Sequence, residues 1–331
     1  EGPIIMTGGA PGSLFAQLFS LSAAERKTLL VAGAAGGMAA IFASPVAAVM
    51  LAVELLLFEW RPRSFIPVTL AALVASLLRV PLLGSGPIFP VTPHPLLAPG
   101  AIGFAALVGI IAGLGSAVLT ALVYHFEDLF ARLPVHWMWW PAIGGLAVGI
   151  GGLIDPRVLG VGYGTIHSLL RGDLVGPTLV SLLVIKALVW SIALGSGTSG
   201  GVLAPLLIIG GTLGALEAGW LPLHDASLWA LVSMAAMMGG TMRSPLTAMI
   251  FTMELTHDFN TLPALLIGCV AAYAVTVLLM RRSILTEKLA RRGHHLTREY
   301  HADPFEVERV AAVMVREVDT LPETMTAEEA V

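Results

Sequence analysis

The run Gly195-Ser196-Gly197-Thr198-Ser199-Gly200-Gly201-Val202-Leu203-Ala204-Pro205 is the stretch best suited to chemistry. It is polar, dense in glycine, and set between two strongly apolar segments. The segment before it, Thr178 to Leu194, has the character of a membrane helix. Pro205 sits near the start of the next helix, where a missing N–H costs nothing. The stretch therefore reads as a loop feeding a helix N-terminus at a depth where the surroundings are hydrocarbon. Irregular backbone is tolerated there only where protein covers it or where it lines a cavity. A helix start presents N–H groups and the positive end of a dipole, which suits an anion. Gly201, Val202 and Leu203 would offer those N–H groups, and the glycines let an anion come close. A tight turn between packed helices is the competing explanation, and glycine serves it equally well. A phosphate loop is disfavoured, because no Gly-Lys-Ser/Thr follows.

Carboxylates are the other groups with chemistry to offer. Glu54 and Glu254 lie late in apolar segments. An acid inside a membrane costs about 2.5–3.5 kcal/mol on insertion scales and marks function by default. Each also stands at a helix end, where capping or water accounts for it, and the structural role is the one expected. Lys186, inside another apolar run, is expected to snorkel or to pair. His294, His295 and His301 lie in a basic segment and read as solvated, not as a metal cluster. The single cysteine, Cys269, excludes an internal disulfide and any multi-cysteine metal site.

These residues need elements to hold them, and composition says where those elements are. The chain is 56% hydrophobic and 12% charged, with a mean hydropathy of +0.85. A soluble domain carries about 25% charged residues, so the class is an all-α polytopic membrane protein. A net charge of −4 gives no nucleic-acid signal. Apolar helices are expected over Pro3 to Leu21, Thr28 to Ala43, Val46 to Trp60 and Ser64 to Leu83. Gly84 to Gly100, with five prolines, is a loop. Further helices are expected over Ala101 to Leu133, Pro141 to Ile154 and Thr165 to Leu170. The last set covers Thr178 to Leu194, Pro205 to Trp220, Ser227 to Gly240, Pro245 to Leu255 and Leu262 to Met280. Ser22 with Glu25 three residues on is a capping-box pattern. Arg281, Arg282, Lys288, Arg291, Arg292 and Arg298 crowd the exit of the last span, which puts the C-terminus in the cytoplasm.

The chain also repeats itself. Glu1-Gly2-Pro3 with Gly8-Gly9 answers Leu203-Ala204-Pro205 with Gly210-Gly211. Ser44-Pro45 answers Ser244-Pro245, and Glu54-Leu55 answers Glu254-Leu255. The offset stays near 200 residues. Such repeats build transporters whose sites lie at the repeat interface, facing the ends of broken helices. Pro3 and Pro205 are the matching helix-start prolines.

Together these motifs resemble the CLC family of chloride channels and chloride/proton antiporters. Glu1-Gly2-Pro3 resembles the tail of that family's G-(K/R)-E-G-P motif. Gly201-Val202-Leu203-Ala204-Pro205 resembles its G-x-F-x-P motif, with leucine for phenylalanine. Gly33-Ala34-Ala35-Gly36-Gly37, Phe42-Ala43-Ser44-Pro45 and Arg243-Ser244-Pro245-Leu246-Thr247 also look like CLC segments, in the right order. The resemblance implies inverted-topology repeats with broken helices over residues 1–298, in a fragment whose first helices precede residue 1. Residues 299–331 resemble the start of a cytosolic α/β CBS regulatory domain, a possible nucleotide site.

The resemblance further implies chloride transport gated by Glu1, in a homodimer surrounded by membrane lipid, with no enzyme activity and no cofactor or metal. A multi-pass protein of a bacterial-type inner or plasma membrane is implied. Two positions depart from the pattern. Leu55 stands where proton-coupled members carry a relay glutamate, and Leu285 falls where the family has its inner-gate tyrosine. Leucine neither relays a proton nor donates to an anion. Channel-like or weakly proton-coupled flow is therefore expected, with stoichiometric chloride/proton antiport as the alternative. Another cation-coupled transporter is the remote one, and it would need Glu54 and Glu254 in a cavity.

Overall fold

In the computed structural model, residues 2–198, 200–221 and 223–291 are described. Glu1, the histidines at 294, 295 and 301, and the CBS-like stretch with its expected nucleotide site lie outside them.

Prolines start most of the helices. Helix α1 spans Gly2–Gln17 and α2 spans Ala23–Phe42. Helix α3 runs Pro45–Leu51 and continues as a π-helical turn over Ala52–Leu57. Then come α4, Pro62–Leu83, and α5, Pro99–Ala131. Helices α6 (Trp140–Ile154), α7 (Tyr163–Leu170) and α8 (Pro177–Gly195) follow. The set closes with α9 (Leu203–Glu217), α10 (Ala226–Met242), α11 (Pro245–Thr256), α12 (Leu262–Leu279) and α13 (Ile284–Arg291). In α3, α4, α5, α8 and α11 proline stands at the first helical position, where its fixed φ favours the turn. The Ser22–Glu25 capping box forms: Ser22 N–H donates to Glu25 Oε2 at 2.8 Å and Glu25 N–H donates to Ser22 Oγ at 3.3 Å.

Among the described residues, five helical stretches are long and apolar enough to cross a membrane: Pro62–Leu83, Pro99–Ala131, Trp137–Ile154, Pro177–Gly195 and Phe259–Lys288. The protein is an integral, multi-pass membrane protein. Helix α10 is its axis. Every residue from Leu228 to Met242 is buried, as expected of a helix that is apolar all round. It packs between α5, α9 and α12. Helices α4 and α6 lie outermost and expose leucines such as Leu77, Leu82, Leu146 and Leu153.

The repeat seen in the sequence is a repeat of structure. Gly8 and Gly12 on α1 meet α2, and Gly210 and Gly214 on α9 meet α10. A Cβ on Gly8 would collide with the Gly33 carbonyl, and one on Gly210 would lie 2.7 Å from the Ser233 carbonyl oxygen. Both pairs are glycines four apart, spaced to let two helices touch backbone to backbone. The left-handed residues match as well: Ala43 (φ 53°) precedes α3 and Arg243 (φ 57°) precedes α11. The two copies run antiparallel, because the end of each reaches the start of the other.

Several expectations move. Helix α1 stops at Gln17, not Leu21. Helix α9 starts at Leu203, so Pro205 is its third residue, still within the first turn. The chain leaves α3 at Phe58, in the left-handed region (φ 57°), so Glu59 is outside the helix and pairs with Arg61 and Ser64. Of the two roles expected for Lys186, snorkelling and pairing, it takes the second. It is 4% exposed, and its Nζ donates to the Val158 carbonyl at 2.7 Å. The proline loop is pinned down at two points: Phe89 N–H donates to Leu255 O at 2.9 Å, and His94 Nδ1 meets Asp258 Oδ2 at 2.6 Å. Helix α13 was not foreseen. Its start is capped by Ser283 and Thr286, with Ser283 N–H donating to Thr286 Oγ1 at 3.0 Å and Thr286 N–H donating to Ser283 Oγ at 3.3 Å.

Candidate anion site

The glycine-rich loop closes α8 before it opens α9. Ser196 N–H donates to Ile192 O at 2.8 Å and Gly197 N–H donates to Leu194 O at 3.1 Å. The Ser196 hydroxyl donates to Ala193 O at 2.7 Å, and the Thr198 hydroxyl donates to the same carbonyl. Gly197 has φ 82°, a conformation that glycine adopts without strain, and this turns the chain out of the helix. Gly195 is a close approach. A Cβ there would lie 2.7 Å from Phe126 Cβ and 2.9 Å from the Glu127 backbone nitrogen, so α5 lies directly against the start of the loop. On the far side, Trp190 Nε1 donates to the Gly201 carbonyl at 3.2 Å. That bond holds the Gly201 carbonyl in one orientation ahead of α9.

Val202 is the residue before the first turn, has no side-chain cap, and accepts from Leu206 N–H at 3.2 Å. Leu203 opens the helix and is buried. The segment 200–202 reaches a cavity of about 200 Å³. Val202, Gly200 and Thr198 line it from the loop, Tyr124 and Glu127 from α5, and Leu285 and Lys288 from α13. The structure thus brings Leu285 to the same cavity as Val202, although 83 residues of sequence separate them. The Tyr124 hydroxyl donates to the Ile284 carbonyl and ties α13 to α5. Arg291 stacks over the Tyr124 ring at 4.5 Å and reaches Asp128 at 2.6 Å.

Glu54 and Glu254 are not in that cavity. Each carboxylate caps the first turn of the other repeat's helix. Glu54 accepts from Leu246 N–H at 3.3 Å, Thr247 N–H at 2.7 Å and the Thr247 hydroxyl at 2.6 Å. Glu254 accepts from Val46 N–H at 3.1 Å and Ala47 N–H at 2.8 Å. The third bond exists on one side only, because threonine at 247 is answered by alanine at 47. Two acids thereby satisfy orphan N–H groups at the starts of two short helices. Leu55, beside Glu54, packs against the core. Pro3 lies in the first turn of α1 and accepts from the Thr7 hydroxyl at 2.7 Å.

A second buried polar group stands at the end of α6. Asp155 is 2% exposed and accepts from Arg157 Nε at 2.8 Å, from Arg157 Nη2 at 3.0 Å and from Arg157 N–H at 3.1 Å. Burial pushes this carboxyl up, but the arginine and backbone hydrogen bonds outweigh it and hold the group below the usual carboxylate range. Among the described residues, no group of three or more His, Cys, Asp or Glu is arranged to hold a metal ion.

Sequence reading missed Tyr124, Glu127 and Lys288. The signal was present in part: Tyr124 and Glu127 are three apart at the end of an apolar helix, hence on one face. That this face meets the loop at 200–202 is tertiary information.

The sequence profile described as the voltage gated chloride channel matches residues 1–277. The chain is 32% identical over 298 residues to the voltage-gated ClC-type chloride channel ClcB of Salmonella typhimurium strain LT2, covering 88% of this chain and 71% of that one. It is 29% identical over 309 residues to the H(+)/Cl(-) exchange transporter ClcA of Salmonella paratyphi B, covering 88% of this chain and 64% of that one. The fold is similar to that of a slow cyanobacterial Cl-/H+ antiporter, with a TM-score of 0.78 at 24% identity, over 88% of this chain and 71% of that one. The profile match over most of the chain, the relatives and the shared fold have one consequence: this chain belongs to the voltage gated chloride channel (CLC) family, whose members are channels and transporters and not enzymes.

Proposed function

We propose that the protein carries chloride across the membrane through a site built from the backbone amides of Gly201, Val202 and Leu203, gated by Glu1, in a channel-like or weakly proton-coupled manner. The observation that carries this reading is the loop end ahead of α9, where Trp190 holds the Gly201 carbonyl and Gly200 and Val202 line the cavity beside Leu285. Helix N-terminal amides suit an anion and need no side-chain chemistry. Stoichiometric chloride/proton exchange is the second reading, since relatives of both names match. Leu55 and Leu285 weigh against it, having no proton to exchange. Cation-coupled transport by Glu54 and Glu254 is weaker still, because both acids are occupied as helix caps.

The basic end of the bundle, with Arg281, Arg282, Lys288 and Arg291, is assigned to the cytoplasm, and a bacterial inner or plasma membrane is the proposed location. The apolar outer face of α6 meets lipid, and two copies of the chain meet in a homodimer through the helices over residues 46–83 and 245–280.

The test is chloride efflux from proteoliposomes under a valinomycin clamp, with proton movement recorded alongside, for the parent and Glu1→Gln. Chloride efflux without fixed-ratio proton movement is expected. Uphill proton movement in fixed ratio, lost in Glu1→Gln, would move the assignment to antiport. No chloride efflux at all would overturn the anion reading.

A further inference from the structure

We infer that Glu127 is the proton-exchanging carboxylate of the cavity beneath the anion loop. It takes a proton from water on the α13 side and returns it to water inside the cavity. The inference rests on the weakly proton-coupled reading and names the group that supplies the coupling.

Most acids of the bundle are engaged or stand away from the loop: Glu25 caps α2, Asp225 caps α10, Asp258 meets His94, and Asp173 does not line the cavity. Glu54 and Glu254 are spent on the starts of α11 and α3. Glu59 is held by Arg61, Arg63 and Ser64. Glu217, 3% exposed, has no hydrogen-bond partner for either oxygen among the described residues and does not line the cavity at Gly200 and Val202. Asp155 is closed around Arg157. Asp128 and Glu287 are both bound by Arg291, at 2.6 and 3.4 Å. Glu127 is different on two counts. It lines the cavity that contains Gly200 and Val202, and among the described residues no hydrogen bond or ion pair closes on its carboxylate, Arg291 and Tyr124 acting on it through their electrostatics alone.

Its position is fixed. The backbone of Phe126 and Glu127 lies against Gly195, so this turn of α5 cannot shift without opening the loop. The cavity of about 200 Å³ has room for a few waters, each taking about 30 Å³ of liquid volume. A proton therefore reaches the loop from Glu127 through water, as acid–base groups do across one solvent molecule. The other hydroxyls nearby are engaged: Tyr124 donates to Ile284 O and Thr198 to Ala193 O. The charged and titratable groups around Glu127 are Tyr124, His125 and Asp128 on α5 and Glu287, Lys288 and Arg291 on α13. The residues lining the cavity from the loop and from α8 carry no charge. Lys288 lines the cavity without an ion pair among the described residues and offsets the carboxylate there. The step is balanced: a hydronium gives its proton to the carboxylate, the carboxylic acid gives it to a cavity water, and no other bond changes.

The experiment uses the full protein in liposomes, with chloride and proton movement recorded together for the parent, Glu127→Gln, Glu127→Ala and Glu127→Asp. Size-exclusion elution of each variant checks that it is folded. The proton-to-chloride ratio is expected to fall at least tenfold in Glu127→Gln or Glu127→Ala, and to return to within threefold of the parent in Glu127→Asp. A ratio unchanged in either folded variant overturns the assignment. So does a parent that carries chloride and moves no protons. A parent that carries no chloride overturns the chloride reading itself, and this inference with it.

Discussion

Removing one of the two reciprocal caps tests whether the repeat interface is held by Glu54 and Glu254. Glu54 accepts three hydrogen bonds and Glu254 accepts two. Hydrogen bonds to a charged group contribute about 1.5–3 kcal/mol each. The gross loss on Glu54→Ala is then about 4.5–9 kcal/mol. Deleting the carboxylate also recovers the about 2.5–3.5 kcal/mol that an intramembrane acid costs. The net destabilisation is about 1–6.5 kcal/mol for Glu54→Ala, with a middle value near 4, and lower for Glu254→Ala by one bond, about 1.5–3 kcal/mol. Nine residues of helix, about 13 Å, separate the start of each helix from its own capping acid, so the two effects should add.

The assay is thermal unfolding in detergent, read by size-exclusion chromatography after heating. With a shift of about 2–4 °C per kcal/mol, Glu54→Ala should melt roughly 10 °C below the parent. Glu254→Ala should melt between the two, and Thr247→Val should remove most of the difference between the caps. The reasoning is refuted if Glu54→Ala melts within about 1 °C of the parent, or if Glu254→Ala proves the worse of the two. Unchanged melting with abolished anion flux would make these acids part of the transport path.

Gly214→Ala should destabilise by about 1–3 kcal/mol, because the new methyl lies 2.7 Å from Ser233 Cβ and collides with the Trp229 carbonyl; the same thermal assay reads it. Asp155 has its carboxyl held low, so its contribution is present above about pH 4, the ordinary aspartate value, and fades as pH falls through the lowered native value. Asp155→Asn should therefore lower the melting temperature at pH 7, with the gap from the parent closing as the pH falls towards 3. Deleting one of Leu55, Leu56 or Leu57 should convert the π turn of α3 into plain α-helix while leaving Glu54 on Thr247. Parent-like melting is expected, and a loss of more than about 5 °C would refute that account of the π turn.

Most of the membrane fold was legible, and the reason is physical. Long apolar runs, prolines at helix starts and glycine clusters at turns are local signals, and α5, α8, α11 and α12 fall within two residues of where these signals put them. Pairing was not legible. Nothing in the sequence says that Glu54 ends at Thr247, since the partner lies 193 residues away. Glu59 looked helical because Leu55-Leu56-Leu57-Phe58 continues the apolar run, and only the left-handed Phe58 breaks it. For Lys186 the sequence leaves snorkelling and pairing open, because it cannot show the Val158 carbonyl across from the side chain. The cavity is the same kind of case. Its residues come from α5, the loop after α8 and α13, and α13 is a short amphipathic helix beyond the last apolar span.

The π turn shows what two unequal copies of one element cost and how the chain absorbs the difference. Both copies begin with serine and proline after a left-handed residue, and both place their glutamate nine positions past the proline. The first then needs thirteen residues, Pro45 to Leu57, to reach its left-handed terminus at Phe58. The second needs twelve, Pro245 to Thr256, to reach His257. A single extra residue in an α-helix would rotate everything after it by about 100°. That would swing the chain leaving α3 away from Arg61 and α4. A π turn takes in one residue by widening the helix locally, so the phase on either side is kept. The extra residue lies within Ala52–Leu57, the segment that carries Glu54, where the cap on α11 fixes the phase from outside. The irregularity therefore follows from the symmetry: the caps hold the two copies in register, and the surplus residue has to be stored within the helix.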